Sequence, residues 1–256
     1  MLTFHKYVAA GNDFVIFDNW NDGIQLSSEQ IIRLCDRRFG IGADGVLLLS
    51  QVDQYDFRMN YFNADGSRGE MCGNGARALV KFAEFLGKIE SSGSFLADDG
   101  SHQFKLIQNQ VELEILVNDE LHNWEVPTLD SCFINTGVPH IVSPVNQIHE
   151  QDLLALGEAM NQHPLHPNGT NLNLIERRDG SLYVRTWERG VNTETLACGT
   201  GAAAAAIYAH EVWETPWPIS LSFKGGELKV DHRKNQYWLQ GDAELVFIGQ
   251  FTLSKI

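Results

Sequence analysis

The stretch MCGNGARALVKFA, at residues 71–83, decides the fold because it recurs as ACGTGAAAAAIYA at residues 197–209. The two copies share one cysteine, two glycines and three alanines in register. The spacing of 126 residues that relates them also places Gly11 of AGNDFVIFD on Gly137 of TGVPHIVSP. Self-similarity at a fixed spacing is the signature of a repeated structural unit. We therefore predict one α+β unit that is used twice.

The repeated stretch predicts a buried helix in each half. Residues 73–86 place apolar side chains at helical spacing, and Gly87 is positioned to end the helix. Residues 199–210 are apolar almost all round, which is typical of a helix enclosed by other structure. We expect an α/β (α+β) fold of two similar domains related by a pseudo-two-fold, each a curved mixed or antiparallel sheet wrapped around a central helix. The predicted domains are residues 1–117, completed by the last strand at 249–256, and residues 118–248.

Capping signals and periodicity predict the remaining elements. Ser27 and Ser28 precede an apolar stripe and predict a helix over 27–38, and residues 151–160 form another helical stretch. Short runs of alternating or β-branched residues predict strands at 2–8, 13–18, 45–49, 56–62, 111–117, 171–176, 182–187, 219–223 and 245–253.

Composition excludes several classes of protein. The chain of 256 residues has a formal net charge of −14, and its basic residues form no stripe that could follow a phosphate backbone, so we expect no nucleic-acid partner. No apolar run approaches the ~18 residues of a membrane span, and MLTFHKYVAAGNDF does not resemble a secretory signal, so we expect a cytoplasmic protein without membrane contact. The four cysteines are too few and too scattered for a disulfide scaffold or a zinc knuckle. Free thiols and no metal are expected.

Each repeated stretch brings a cysteine and an anion site together, as Cys72-Gly73-Asn74-Gly75 and Cys198-Gly199-Thr200-Gly201. Glycines let backbone N–H groups approach a ligand, and the first turn of a helix has unpaired N–H donors and partial positive charge. The same field lowers the pKa of a cysteine at that position. Two such sites facing each other would let one thiolate remove the hydrogen α to a carboxylate while the opposite thiol returns one. This pattern predicts a two-base epimerase.

The same residue types also have purely structural interpretations. A lone buried cysteine is more often a core residue than a reactive thiol, and we interpret Cys35 and Cys132 in that way. A glycine-rich turn before a helix can also cradle a phosphate, but neither GxGxxG nor GxxxxGK[ST] is present.

Motifs along nearly the whole chain resemble the diaminopimelate epimerase family. They are GNDFVIFD at 11–18, LCDRRFGIGADG at 34–45, YFNADGSRGEMCGNGAR at 61–77, NTGVPH at 135–140, GTNLN at 169–173 and WERGVNTETLACGTGA at 187–202. The resemblance implies two similar domains with the active site between them, a small-molecule amino-acid substrate, no pyridoxal phosphate or other cofactor, no metal, and a homodimer.

The resemblance also implies roles for individual residues. Cys72 and Cys198 form the acid/base pair, and His140 matches a position near the reacting centre where it is either catalytic or a satisfied structural histidine. The carboxylate at the reacting centre is held by Gly73, Asn74, Gly199 and Thr200. The distal ammonium and carboxylate of the substrate are held by Asn12, Asn63, Asn171, Glu188 and Arg189, and the guanidinium fork of Arg189 can take a carboxylate bidentately.

Two departures from the family pattern concern the substrate. Val138 stands where many members have asparagine, and Val191-Asn192-Thr193 lengthens the stretch after Arg189. The first hypothesis is interconversion of LL- and meso-diaminopimelate. The alternative is a cofactor-independent racemase of another amino acid, of the histidine, proline or hydroxyproline type, with the same two cysteines. A non-catalytic relative is a third hypothesis, against which both cysteine turns and the residues for the distal end are intact.

Overall fold

The computed structural model describes residues 1–69, 71–117, 120–126, 129–163, 166–178 and 180–252. The chain divides into two units, which are Met1–Leu113 with Gly241–Ile256, and Glu114–Gln240. The strands are β1 (Leu2–Ala9), β2 (Asn12–Asp18), β3 (Gly45–Ser50), β4 (Phe57–Asn63), β5 (Arg68–Gly69), β6 (Ser92–Ala97), β7 (Gly100–Ile107), β8 (Gln110–Ile115), β9 (His122–Val126), β10 (Leu129–Asn135), β11 (Pro139–Pro144), β12 (Asn171–Arg178), β13 (Ser181–Glu188), β14 (Thr193–Thr195), β15 (Ile219–Phe223), β16 (Gly226–Arg233), β17 (Gln236–Gly241) and β18 (Glu244–Phe251). The helices are α1 (Ser28–Cys35), α2 (Gly73–Phe85), α3 (Leu153–Asn161) and α4 (Gly199–Trp213), with a 3-10 turn at Ile148–Glu150.

The strand pairings of the first unit recur in the second. In the first unit β1–β2, β3–β4, β4–β5 and β6–β7 are antiparallel, whereas β2–β3 and β4–β6 are parallel. In the second unit β10–β11, β12–β13, β13–β14 and β15–β16 are antiparallel, whereas β11–β12 and β13–β15 are parallel. The return strand β18 pairs with β1 as β9 pairs with β10. The predicted repeat is therefore present as a repeated topology, and Gly11 and Gly137, which the spacing matched, both adopt positive φ.

A helix is enclosed by the sheet in each unit, as the α/β prediction requires. Helix α2 packs against β1, β2, β3, β4 and β18, and α4 packs against β10, β11, β12, β13, β15 and β16. The five alanines of α4, residues 202–206, are completely buried. Alanine suits this position because it combines high helix propensity with a small side chain, so strands can approach the helix closely.

Local capping sets the helix ends and corrects several predicted boundaries. Ser27 caps α1 through a capping box with Gln30, but the helix stops at Cys35 rather than 38 because Asp36 Oδ1 accepts the backbone N–H groups of Arg38 and Phe39. Helix α3 begins at Leu153 rather than 151, after a 3-10 turn that the sequence did not predict. Helix α4 continues past 210 to Trp213.

The nine predicted strands are present, the strand at 219–223 with its predicted ends and the others with shifted ends. Leu253 of the predicted strand 245–253 and residues 253–256 of the predicted closing strand lie outside the described residues. The sequence missed β5, β6, β7, β9, β10, β11, β14, β16 and β17. None of the helices in the described part of the chain is long and apolar enough to cross a membrane.

Candidate active site

Cys72 is the N-cap residue of α2, with extended backbone angles, and its side chain is half-buried. Its carbonyl accepts the first intrahelical bond, from the N–H of Ala76 at 2.7 Å. The thiol therefore lies at the end of the helix where unpaired N–H groups and partial positive charge are concentrated. This position agrees with the sequence prediction for the first cysteine turn.

A ladder of amides connects the first turn of α2 to the neighbouring strand. Asn74 donates to Asn12 Oδ1 at 2.6 Å, and Asn12 donates to Asp44 Oδ2 at 2.9 Å. Arg77 donates to the opposite end of the Asn74 amide, Oδ1, at 2.6 Å. The side-chain amide of Asn74 is thus held at both ends.

Arg77 is a functional candidate that the sequence analysis did not identify. Its guanidinium is completely buried and also contacts the carbonyl oxygens of Gly73 and Asp242, at 3.4 Å and 3.5 Å. Burial lowers the pKa of Arg77 to about 10, although the negative charge that Cys72 carries when ionised acts in the opposite direction. The signal available in the sequence was a cation at a position where the second copy has Ala203.

Asn63 is not bonded to this ladder. It lies at the end of β4, donates to Ser67 Oγ at 3.1 Å and accepts from the backbone of Gly66.

Asp44, the last acceptor of the ladder, also belongs to a charged group. In this group Arg37 bonds Asp44 at 2.7 Å, and it bonds Asp13 through two nitrogens, at 2.7 Å and 2.9 Å. Burial alone would raise the pKa of Asp13, but Arg37 and Lys6 outweigh it and lower that pKa to about 2. This ionised group holds Asp44, which accepts from Asn12 through its other oxygen.

Cys198 is the N-cap residue of α4, and it is more deeply buried than Cys72. Its sulfur accepts the backbone N–H of Gly201 at 3.4 Å and lies 3.4 Å from Thr200 Oγ1. The carboxylate of Glu188 accepts a short bond, 2.5 Å, from Thr195 Oγ1 and acts on the Cys198 thiol through its charge. Burial first, and then the charge of Glu188, hold the pKa of Cys198 well above its usual range, while burial also raises the pKa of Glu188.

His140 is completely buried and contacts this group through Thr200. Its Nε2 lies 3.0 Å from Thr200 Oγ1, and its Nδ1 lies 2.9 Å from the amide nitrogen of Asn173. Burial and the nearby charge of Arg189 lower the pKa of His140 to about 3, so the ring is neutral near pH 7. Asn173 is a second residue that the sequence analysis did not identify, and its signal was a second asparagine in the alternating stretch Asn171-Leu172-Asn173-Leu174.

Asn171 and Arg189 form a pair next to His140, whose Nε2 lies 3.5 Å from Asn171 Nδ2. The Oδ1 of Asn171 accepts the backbone N–H of Arg189 at 2.8 Å, and its Nδ2 donates to the carbonyl of Pro139 at 3.1 Å. One terminal nitrogen of Arg189 donates to the carbonyls of Asn168 and Gly169. Within the described ranges the other guanidinium nitrogens of Arg189 have no protein partner, which leaves them available to a carboxylate.

The two remaining cysteines are core residues. Cys35 and Cys132 are buried and form no disulfide, and burial raises the pKa of Cys35 to about 11. Among the described residues no three His, Cys, Asp or Glu side chains converge on a point where a metal ion could be held.

This repeated α/β topology defines a class of proteins of varied activity. The fold matches a PhzF-family phenazine biosynthesis protein from Bacillus anthracis with a TM-score of 0.76 and 15% identity, covering 98% of this chain and 99% of the other. It also matches a hydroxyproline epimerase from Agrobacterium vitis with a TM-score of 0.65 and 14% identity, covering 97% and 91%. At such identities the likeness concerns the fold alone.

The chain itself belongs to the diaminopimelate epimerase family. The family model for diaminopimelate epimerase matches residues 4–117 and 132–246. Relatives named diaminopimelate epimerase include one from Chlorobaculum tepidum, 38% identical with 95% of this chain and 99% of that protein covered, and one from Flavobacterium psychrophilum, 38% identical with 95% and 97% covered. The resemblance inferred from the motifs is thereby confirmed.

Proposed function

We propose that this protein epimerises LL-2,6-diaminopimelate to meso-diaminopimelate by two-base proton transfer at the α-carbon, without an added cofactor, in the synthesis of lysine and peptidoglycan precursors. The observation that carries the proposal is the pairing of a family match along nearly the full chain with two cysteines that each cap a buried helix. An acid and a base at the same carbon are what inversion of a stereocentre requires.

Cys72 and Cys198 are the proposed acid/base pair, and their surroundings suggest different resting states. Burial and Glu188 keep Cys198 protonated, so it enters the cycle as the acid. Cys72 lies at a helix N-terminus beside the buried cation of Arg77, and both features favour a negative charge on its sulfur. Cys72 is therefore the proposed base in the free enzyme, and the roles reverse after each turnover.

The carboxylate at the reacting centre is proposed to lie on Gly73, Asn74, Gly199 and Thr200. Backbone N–H groups in the first turn of a helix have no intrahelical partner, and they stabilise the charge that accumulates as the α-proton leaves. The amide ladder that holds Asn74 would keep the first turn of α2 rigid. Preorganised donors contribute more than mobile ones because they need no reorganisation during the reaction.

The distal end of the substrate is proposed to lie on Asn12, Asn63, Asn171, Glu188 and Arg189. The available nitrogens of Arg189 suit the distal carboxylate, and Asn171 would contribute by positioning the Arg189 backbone. Glu188 is given a double role, since its charge also raises the pKa of Cys198. His140 would act through Thr200 from its buried position.

The substrate assignment is tested by incubating the reduced protein with LL-diaminopimelate and following meso product by chiral chromatography. L-histidine, L-proline and trans-4-hydroxy-L-proline serve as the alternative substrates that Val138 leaves open. We expect inversion of diaminopimelate alone. Inversion of one of the monocarboxylate amino acids, with none of diaminopimelate, would replace the substrate and leave the two-cysteine chemistry in place. If diaminopimelate is the substrate, Arg189→Met should raise its KM, because the variant removes the proposed contact with the distal carboxylate.

We further propose that the two units are epimerase halves, carrying Cys72 and Cys198 respectively, and that the protein is a cytoplasmic homodimer. Four free cysteines suit a reducing compartment. Strand β18 exposes four consecutive apolar side chains, which supports an oligomeric surface there: Leu245, Val246, Phe247 and Ile248. Sedimentation equilibrium tests the dimer, and Val246→Glu should shift it towards the monomer if β18 is part of the interface.

A further inference from the structure

A hydrogen-bonded polar chain in the second unit joins Thr186, Asn173, His140 and Thr200. Two of its members, His140 and Asn173, stand at positions that core residues fill in the first unit. The parallel register of β11 with β12 pairs His140 with Asn171, and that of β2 with β3 pairs Phe14 with Gly45, at the same spacing of 126 residues. His140 thus occupies the position of Phe14, and Asn173 occupies that of Leu47. Phe14 and Leu47 are buried in the apolar core of the first unit.

Stability alone does not explain this replacement. The same topology folds around an apolar pair in the first unit, and a buried polar pair offers no general advantage in stability over well-packed apolar groups. Each polar atom of the chain must also find a partner, or its desolvation is left uncompensated. Both His140 and Asn173 are nevertheless completely buried.

The backbone carbonyl of Ile141 fixes the direction of each hydrogen bond in the polar chain. The carbonyl of Ile141 can only accept, and it lies 3.2 Å from Asn173 Nδ2. That contact fixes the amide orientation of Asn173, whose nitrogen therefore also donates to His140 Nδ1 at 2.9 Å. At the other end of the amide, Asn173 Oδ1 accepts the hydroxyl of Thr186 at 2.9 Å.

The same directions continue to the sulfur. With Nδ1 accepting, the ring proton of neutral His140 lies on Nε2, which donates to Thr200 Oγ1 at 3.0 Å. The amide nitrogen of Asn171 is farther from Nε2, at 3.5 Å, and donates to the carbonyl of Pro139 at 3.1 Å. The Thr200 hydroxyl hydrogen then points away from the ring, and Cys198 Sγ lies 3.4 Å from the same oxygen. Gly201 makes room for the chain, because a Cβ there would lie 2.4 Å from Asn173 Oδ1 and 3.3 Å from Thr186 Oγ1.

We propose that Asn173, with Thr186, is a positioning residue that fixes His140 as the neutral Nε2–H tautomer and so directs the Thr200 hydroxyl hydrogen to the sulfur of Cys198. The hydroxyl and the N–H of Gly201 together supply two donors to that sulfur. They stabilise the thiolate that Cys198 becomes after it has given its proton to the substrate. The consequence for catalysis rests on the proposed function, whereas the tautomer itself does not.

The first test is a ¹⁵N spectrum of histidine-labelled wild-type protein without substrate, in which a His140→Gln variant assigns the two ring signals. We expect Nδ1 to resonate as an unprotonated ring nitrogen and Nε2 as a protonated one. A protonated Nδ1 in the wild type would overturn the proposal without reference to activity. This readout stays valid if diaminopimelate proves not to be the substrate.

The second test changes Asn173 and compares the spectrum with the kinetics. A carboxylate cannot donate, so Asn173→Asp should move the ring proton to Nδ1 and lower kcat about 10- to 100-fold while KM changes little. Thr200→Val should lower kcat without moving the ring proton. If Asn173→Asp keeps the wild-type tautomer or the wild-type kcat, Asn173 does not position the chain.

Ser143→Ala is the matched control. Ser143 lies on the same strand as His140, is completely buried, and bonds Ser131 at 2.6 Å outside the polar chain. It should leave the ring signals and kcat unchanged. Equal losses in Ser143→Ala and Asn173→Asp would reduce the effect to a general disturbance of the buried strand and overturn the positioning role.

Discussion

The two matched glycines at the third positions of α2 and α4 should respond in opposite ways to alanine. A Cβ at Gly75 would meet Phe14 and Met59 at 3.4 Å and 3.5 Å, which are ordinary contacts. A Cβ at Gly201 would lie 2.4 Å from Asn173 Oδ1. Since C···O contacts are normally about 3.3 Å or longer, the Asn173 amide would have to move by roughly 1 Å.

The magnitudes follow from these contacts. Replacement of a helical glycine by alanine stabilises by about 0.5 to 1 kcal/mol when the side chain fits, so Gly75→Ala should be neutral or stabilising. Overpacking costs about 1 to 3 kcal/mol, and Asn173 is held by bonds to His140 and Thr186, so Gly201→Ala should be destabilising. The two variants should differ by about 1 to 4 kcal/mol in the free energy of unfolding.

Urea unfolding measures this difference. Circular dichroism and tryptophan fluorescence should be followed together, because a chain of two units need not unfold in a single step. The midpoint should fall for Gly201→Ala and hold or rise for Gly75→Ala, with similar slopes. If the Gly201→Ala protein is as stable as the Gly75→Ala protein, the side chain of Asn173 does not lie as close to α4 as described.

Three further predictions concern single residues. Because burial and Arg189 lower the pKa of His140 to about 3 from 6.5, the unfolded chain binds a proton that the native state excludes, and the free energy of unfolding should fall as pH drops from 6.5 towards 3, by up to about 1.4 kcal/mol per unit; His140→Gln should show a shallower slope in urea titrations. Gly157→Ala should destabilise by about 1 to 3 kcal/mol in thermal unfolding, because a Cβ would lie 2.2 Å from the Trp187 ring. Since burial raises the pKa of Cys35 to about 11, iodoacetamide near pH 8 should alkylate it at least about 100-fold more slowly than a free cysteine, as mass spectrometry would show.

Each of these predictions has a result that contradicts it. Equal pH dependence of the unfolding free energy in the wild type and His140→Gln would mean that His140 has the same pKa in the native and unfolded states. An unchanged melting temperature for Gly157→Ala would show that the Trp187 ring does not lie against α3. Rapid alkylation of Cys35 in the folded protein would remove it from the core.

The sequence predicted the parts of the fold that repeat. The two CGxG stretches and the glycine pair at 11 and 137 gave the duplication, because a conserved spacing survives in both halves. Strands such as β7 and β16 were missed since their exposed faces are polar and their apolar residues are few. The end of α1 was missed because it depends on a single side chain. Asp36 accepts the backbone N–H groups of Arg38 and Phe39, which would otherwise have continued the helix.

The residues of the candidate site divide in the same way. The motif positions follow from the sequence because a cysteine and two glycines before a helix have a direct chemical meaning. Arg77 and Asn173 were missed because their importance depends on burial and on partners distant along the chain. The replacement of a Phe14–Leu47 pair by His140–Asn173 becomes visible only when the strand registers of the two units are compared.

Deuterium incorporation tests the two-cysteine chemistry most directly. The reduced protein, without cofactor, is incubated with LL-diaminopimelate in deuterium oxide, with Cys72→Ala and Cys198→Ala in parallel and Cys35→Ala as the control. We predict meso product with one deuterium at each inverted centre in the wild type and the control, and no meso product from the other two variants. Inversion without deuterium entry, or meso product at the wild-type rate from either Cys72→Ala or Cys198→Ala, would contradict proton transfer by this pair of thiols.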